Sequence, residues 1–278
     1  GANRVQVLQG GIGNIDASAI SADHANSLEP ALAERIEVLR GPSTLLFGNG
    51  AIGGVVNVID NRIPTELPAL MTGLIETRHN SAADQQVSVV KLEGALGQLA
   101  WHVDGIYRDS NDVELNGFAI NPATVNIADP QALDELLDSK GRLGNSSTQS
   151  DAKTLGASWI LDQGYAGFSF NELNNTYGIP AAAHQSHEPD GHGDEELDEE
   201  NEVHIVMEQE RGDFDFVVPL AGWFDEVHGR LGAVDYQHAE VESSGEIGTL
   251  FEQDGVEGRL VFDLLTSENH EGVVGVQY

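Results

Sequence analysis

Apolar and polar residues alternate along most of this chain, and the alternation has the two-residue period of β-strands. In the first part of the chain the alternating segments are short and interrupted by glycine. Residues 5–8 and 35–39 are predicted as strands, residues 29–34 as a short helix, and residues 53–59 as a buried strand. Between them, the proline, serine and clustered glycines of residues 41–50 predict a turn, one helical turn and a second turn.

From about residue 69 onward the alternating segments are longer and evenly spaced. Trp101, Val103 and Tyr107 form an apolar face, whereas His102 and Asp104 belong to a charged face. A tight turn predicted at residues 97–98 separates this segment from a similar one before it. The same alternation recurs over residues 154–160, 165–172, 203–211, 230–240 and 256–264.

Segments of about ten residues with one apolar and one polar face are typical of outer-membrane β-barrels, in which short turns and long polar loops alternate. A large soluble antiparallel sandwich is the alternative, because a half-buried soluble sheet alternates in the same way. The last segment, residues 273–278, ends without a turn or a cap. Since an open barrel edge leaves unpaired backbone groups in lipid, we expect the chain to be part of a longer polypeptide.

Composition excludes several classes of protein. The chain has 13 Lys and Arg against 46 Asp and Glu, a formal net charge of -33, and this charge repels a nucleic-acid backbone. The absence of cysteine excludes disulfides and thiolate metal sites. The G-x-G-x-x-G pattern of residues 48–53 precedes a Val-rich strand rather than the helix that a dinucleotide site requires. No other catalytic motif is present, so we expect neither an enzyme nor a nucleic-acid partner.

Histidine and acidic residues are concentrated in residues 184–204, which contain four His and nine Asp or Glu. Imidazole and carboxylate groups suit borderline divalent ions such as Zn²⁺, and the lack of Cys or a Met cluster argues against Cu(I). The negative charge of such a loop also raises the local concentration of cations. An acidic, solvated loop with incidental histidines is the alternative. The candidate metal ligands of this segment are His184, His187, His192 and His204.

Residues 35–59 resemble the end of the plug domain of TonB-dependent receptors, in a long and ungapped match. The motif positions that carry this resemblance, for which we expect structural roles, are Arg40, Gly41, Pro42, Gly48, Gly50, Gly53, Gly54 and Asn57. Residues 21–25, 60–64, 177–180 and 234–240 resemble more narrowly the zinc-receptor branch of that family.

The resemblance implies a mainly β fold in two parts. Residues 1–64 would be the C-terminal part of a plug domain. Residues 65–278 would be the first strands and loops of a transmembrane antiparallel β-barrel, with the His- and acid-rich loop at residues 181–202. The family barrel has about 22 strands around the plug, of which this chain would hold roughly nine.

The resemblance also implies a location and partners. The protein would lie in the outer membrane of a Gram-negative bacterium, in contact with outer-membrane lipid. Its inner-membrane partner would be the TonB complex, engaged through a segment absent from this sequence. Zinc or another divalent metal ion would be the transported ligand, and no cofactor would be permanently bound.

Two further pairs of residues are candidate metal ligands. The resemblance implies that Asp23 and His24 lie on the plug surface that faces the lumen. His238 and Glu240 are two positions apart on a predicted strand, so their side chains share one face and could complete a tetrahedral site with the first pair. The alternatives are that Asp23 and His24 cap a helix near Ala25, and that His238 and Glu240 form an ordinary polar lining.

The leading functional hypothesis is TonB-dependent uptake of zinc by ligand exchange. Loop residues would collect the ion, plug and lumen ligands would hold it, and TonB would disrupt the plug site to release it. Binding would weaken as the pH falls through the ordinary titration range of histidine, near pH 6.5. The alternatives are a haem or iron-siderophore receptor of the same fold, and a Ca²⁺-binding β-rich surface adhesin module.

Overall fold

The chain folds as a small mixed sheet packed against the concave face of a large curved antiparallel sheet. The structure is a computed structural model that describes residues 5–19, 24–47, 49–180, 203–264 and 272–278. No helix within these ranges is both long and apolar enough to cross a membrane.

The small sheet has four strands in the order β2-β1-β4-β3. β1 lies parallel to β4, and β3 lies antiparallel to β4 on its other side. Leu8, Ala51 and Val55 are at most 1% exposed and form the core of this body. The four strands are β1 (Val5–Gln9), β2 (Ile12–Gly13), β3 (Arg35–Leu39) and β4 (Gly54–Ile59).

The large sheet has nine strands, each antiparallel to its neighbours, in the order β15-β14-β13-β12-β11-β10-β7-β6-β5. Its strands are β5 (Thr72–Asn80), β6 (Gln85–Leu96), β7 (Leu99–Ser110), β10 (Thr148–Leu161), β11 (Gly164–Ile179), β12 (Val203–Pro219), β13 (Phe224–Val241), β14 (Ile247–Leu264) and β15 (Val273–Gln277).

The connection between β7 and β10 of the large sheet contains strands and a helix of its own. Between β7 and β10 the chain forms a hairpin of β8 (Val113–Phe118) and β9 (Lys140–Leu143), with helix α1 (Pro130–Asp138) inserted in it. The alternation pattern of the sequence did not predict α1.

The large sheet buries polar as well as apolar side chains on one face and exposes large apolar ones on the other. On the concave face, His102 and Arg211 are 0% exposed, whereas on the convex face Leu155 and Phe168 are both 58% exposed. A soluble sandwich buries its apolar face, so the exposed apolar face argues against the soluble alternative. The large sheet, hereafter the wall, instead has the apolar outer band of a membrane barrel.

The small sheet and its adjoining turns contact the concave face through polar groups as well as through an apolar core that includes Ala17 and Leu32. The backbone N–H of Gly13 donates to the Glu257 carboxylate of β14 at 2.9 Å, and the side chain of Gln209 on β12 donates to the carbonyl oxygen of Ile15 at 3.2 Å. A Cβ atom on Gly156 of β10 would collide with the carbonyl oxygen of Arg62, so the chain leaving the small sheet rests directly on the wall there.

Some predicted elements differ in kind or length from those observed. The predicted helix at residues 29–34 is a single 3₁₀ turn, Pro30–Leu32, which Glu29 caps by accepting the N–H of Ala31. The strands from β10 to β14 have 14 to 18 residues instead of about ten. They are longer because pairing continues through polar stretches in which the apolar alternation is lost.

Candidate metal centre

Strand β13 presents His238 and Glu240 to the interior. Along this strand buried and exposed residues alternate, so Val234, Tyr236 and His238 are buried while Asp235 and Gln237 are exposed. His238 is 0% exposed, and the Glu240 side chain keeps 30% exposure at the end of the same row. The strand period therefore places both candidate ligands on the face that meets the small sheet.

His24 reaches the same point from the small-sheet side. Its ring centroid lies 4.6 Å from that of His238, and its Nε2 lies 4.0 Å from Oε1 of Glu240. One ligand atom from each of these three residues lies within 4.8 Å of the others. The backbone N–H of Ala25, the next residue, donates to the hydroxyl oxygen of Tyr177 on β11 at 3.1 Å, which ties this segment to the wall.

The hydrogen bonds of the cluster leave imidazole nitrogen atoms available. Tyr236 and Nδ1 of His238 share a hydrogen bond of 2.9 Å. Within the described ranges, Nε2 of His238 and Nδ1 of His24 are buried and have no hydrogen-bond partner. Phe251 of β14 covers both rings, at centroid distances of 4.7 and 6.2 Å. Two imidazoles, each with one partnerless nitrogen, and a nearby carboxylate form the donor set that borderline divalent ions prefer.

The structure brings together three of the predicted ligands, His24, His238 and Glu240. His204 does not join them, because it lies on β12 one position from inward-facing Ile205 and therefore on the opposite face. The other predicted positions, Asp23, His184, His187, His192, the loop 181–202 and the motif residue Gly48, lie outside the described residues. That any of these residues bind metal stays a prediction.

The remaining motif positions shape the small sheet. Gly41 has a φ of +75° and Gly54 a φ of +146°, values that favour glycine. A Cβ on Gly54 would also lie only 3.1 Å from the carbonyl oxygen of Leu39. Asn57 is buried and accepts the N–H of Gly11 at 2.9 Å. Arg40, Pro42, Gly50 and Gly53 lie in the same turn region, between β3 and β4.

A second buried polar cluster, which the sequence indicated only in part, surrounds His102. Its Nδ1 lies 2.9 Å from Glu93 and its Nε2 lies 2.7 Å from Asp104, and Asn61 donates to the same Glu93 oxygen at 2.9 Å. Asp104 shares the face of His102, but Glu93 lies opposite it on β6. The predicted turn at Gly97 sets that pairing, so counting back from the turn finds Glu93.

Charged groups also join the end of the small sheet to the wall. Arg62 contacts Asp60 at 3.1 Å and Asp213 of β12 at 3.0 Å, and Arg211 binds Asp213 in turn at 2.9 Å. Burial opposes the charge of Asp60, but the charge of Arg62 and a hydrogen bond from Gln9 outweigh it and hold the pKa of Asp60 below its usual range. Asp60, Arg62 and Asp213 border a cavity of about 560 Å³ that His24 and His238 do not line.

Residues 1–55 match the family model of the TonB-dependent receptor plug domain. The chain has the fold of a TonB-dependent outer-membrane receptor. The structure resembles the FrpB iron transporter from Neisseria meningitidis, with a TM-score of 0.75, 12% identity, and coverage of 100% of this chain and 41% of that one. It also resembles the copper transporter OprC, with a TM-score of 0.70, 13% identity, and coverage of 99% of this chain and 37% of that one.

Sequence relatives of this chain match over shorter stretches. The ferric enterobactin receptor PirA of Pseudomonas aeruginosa is 36% identical over 105 residues, which are 36% of this chain and 14% of that protein. The hemin receptor of Yersinia enterocolitica is 58% identical over 36 residues, 12% of this chain and 5% of that protein. The chain thus spans about two fifths of the length of the two solved transporters, and its sequence matches cover a small part of each relative.

These findings bear differently on the predictions. The mainly β fold, with a plug and part of an antiparallel barrel, and the location in the Gram-negative outer membrane are confirmed. The resemblance to the zinc branch is not supported by the named relatives, whose cargoes are ferric enterobactin and hemin. The boundary between residues 64 and 65 stays a prediction.

Proposed function

We propose that this chain is part of a TonB-dependent receptor that takes up a divalent metal ion, with zinc as the first candidate. The observation that carries the proposal is the meeting of His24 from the plug with His238 and Glu240 from the wall. Two buried imidazole nitrogens of this cluster have no partner within the part of the chain that the structure describes. Burying such atoms is costly unless a ligand satisfies them.

The donor set favours a borderline ion over the alternatives. Two imidazoles and one carboxylate match Zn²⁺, whereas Ca²⁺ prefers ligands that are all oxygen. Cu(I) prefers thiolate and thioether ligands, and the sequence contains no Cys and only two Met. Asp23 and the histidines of loop 181–202 are the proposed additional ligands.

The position of the cluster supports a transport role. One ligand comes from the plug and two come from the wall, so displacement of the plug removes His24 from the ion. We propose that energy supplied through the TonB complex drives this displacement and that the ion is released by ligand exchange. The formal net charge of -33 favours the arrival of cations at the protein surface.

Uptake of haem or a ferric siderophore is the second candidate function, and the named relatives favour it over zinc. The match to the ferric enterobactin receptor extends over 105 residues, fewer than separate His24 from His238, so it cannot include both sides of the cluster. Many ferric siderophores are anionic and bind to free basic groups. Three interior arginines are instead paired with Asp60, Asp213 or Asp215, namely Arg62, Arg211 and Arg230.

Binding by the full-length receptor separates the two candidates. Purified receptor should bind Zn²⁺ in titration calorimetry, and His24→Ala or Glu240→Gln should weaken binding more than about 100-fold, since even residues that only orient a ligand are worth about 10- to 100-fold. His79→Ala is the matched control, because His79 is an exposed histidine on β5.

Uptake by cells tests transport. Zinc accumulation that is lost in His24→Ala, and lost in the wild type when a protonophore removes the proton gradient, supports the proposal. Growth on hemin or a ferric siderophore as the sole iron source, with zinc accumulation indifferent to His24, would transfer the assignment to the second candidate.

A further inference from the structure

Tyr236 lies directly behind His238 on the same face of β13. Its hydroxyl oxygen is 2.9 Å from Nδ1 of His238, and its side chain is only 3% exposed. Its ring belongs to the same buried cluster as Ala17 of the plug. Tyr236 therefore lies in a core shared with the plug and contacts one proposed ligand through its hydroxyl.

The hydrogen bond determines which nitrogen of His238 can bind metal. A neutral imidazole carries one proton, and the nitrogen without it supplies the lone pair. Since Nδ1 is hydrogen-bonded to Tyr236, Nε2 is the atom left for a metal ion, and it has no partner among the described residues. Metal binding through Nε2 places the proton on Nδ1, which then donates to the Tyr236 oxygen.

We propose that Tyr236 is a positioning residue that fixes the ring orientation and metal-binding tautomer of His238. The inference rests on the proposed metal site, which it deepens. Side chains that hold the second nitrogen of a ligating histidine commonly fix its orientation and raise its basicity. A merely structural role is distinguishable, because the Tyr236 ring also packs in a core with Ala17, Val234 and Met207, and phenylalanine would preserve that packing.

The test is Tyr236→Phe in the full-length receptor, with Zn²⁺ affinity measured by calorimetry. We expect a loss of about 10- to 100-fold, the usual effect of removing such a partner. Tyr165→Phe is the matched control, because Tyr165 is another buried wall tyrosine whose hydroxyl binds Asp215 at 2.9 Å and lies outside the cluster. It should bind Zn²⁺ as the wild type does.

Co²⁺ binding supplies a readout that packing alone would not change. The visible absorption of bound Co²⁺ reports ligand geometry, so its band should change in Tyr236→Phe and remain unchanged in Tyr165→Phe. Should Tyr236→Phe fail to fold, as judged by heat-modifiable migration, ¹⁵N-histidine NMR of the wild type replaces it. A difference spectrum against His238→Asn then identifies the tautomer, and protonated Nδ1 in the Zn²⁺-loaded protein is the expected result.

The outcomes separate this inference from the proposed function. Wild-type affinity in Tyr236→Phe, together with lost binding in His238→Ala, would overturn the positioning role and leave the metal site standing. Equal losses in Tyr236→Phe and Tyr165→Phe would also overturn it. Wild-type binding in both His24→Ala and His238→Ala would refute the proposed metal site, and the inference with it.

Discussion

At the scale of single residues, two buried histidines of the wall differ in the hydrogen-bond partners of their ring nitrogens. His102 has a carboxylate on each ring nitrogen, so both of its polar atoms are satisfied. His238 has one hydroxyl partner and one nitrogen without a partner in the described ranges. The first arrangement is that of a structural ion cluster, whereas the second leaves a donor atom for a ligand.

Replacing His102 with phenylalanine should destabilise the wall. Glu93 and Asp104 would lose the imidazole between them, and removing one member of a buried charged cluster typically costs about 3–5 kcal/mol. The urea midpoint of unfolding of the full-length receptor in detergent should fall. His79→Phe provides the comparison, because His79 is exposed, and an equal fall in that variant would contradict the explanation.

The sequence predicts some of these residues well and others poorly. The strand period alone places His238 and Glu240 on one face, but only the resemblance to the plug family brought His24 toward them. The role of Tyr236 could not be predicted, because an aromatic residue on an inward face is usually core. Its function depends on the hydroxyl's contact with His238, and no periodicity encodes that contact.

At the scale of elements, the seam between plug and wall depends on close backbone approach as well as on charge. Gly156 lets the segment around Arg62 lie against β10, and the Arg62, Asp60 and Asp213 groups pair across the same seam. Neither feature appears in the alternation of a single strand. Strand positions were therefore predictable, whereas the contacts between the two bodies required the structure.

Gly156→Ala should loosen the plug. The added Cβ would collide with the carbonyl oxygen of Arg62, a backbone atom that can give way only if the segment moves. We expect increased entry of a large antibiotic that the outer membrane normally excludes. Gly212→Ala on β12 is the control, because a Cβ there meets nothing within 4 Å. Equal antibiotic sensitivity in the two variants would contradict the close-contact argument.

Acid should weaken the same seam. The folded-state pKa of Asp60 is lowered, so the stabilisation it provides is fully present above the ordinary Asp pKa of about 3.9 and is lost as the pH falls through the lower folded value. Protease cleavage of the plug in the full-length receptor should increase as the pH falls through the folded-state pKa of Asp60. Asp60→Asn should show a smaller pH dependence, and an unchanged one would assign the effect to other carboxylates.

At the scale of the whole molecule, the outer face of the wall changes character along its height. Phe168, Phe214 and Leu231 are neighbours across three strands and form part of the apolar band. Nearer the end of β11 at Ile179, four carboxylates stand side by side on adjacent strands, Glu172, Glu210, Asp235 and Asp254. We expect the hydrocarbon region to end at this change from apolar to acidic side chains.

Placing lysine at two heights on β12 tests this boundary. Phe214→Lys should cost about 2–4 kcal/mol of folding free energy in lipid bilayers, because it places a charge in the apolar band. Glu210→Lys, four residues away on the same face, should cost little, since it lies among carboxylates. Folding of the full-length receptor into vesicles over a urea series measures both, and equal costs would place the boundary elsewhere.

The contact between Gly13 and Glu257 joins residues 244 positions apart, whereas the wall strands pair mostly with their neighbours in sequence. Contacts that close long loops form slowly, because the chain loses more entropy before they form. Hairpins of the wall can therefore assemble in sequence order, whereas the plug can bind the wall only after the later strands have formed. The plug should dock late during biogenesis, and its backbone amides should exchange with solvent sooner than those of β10 to β13.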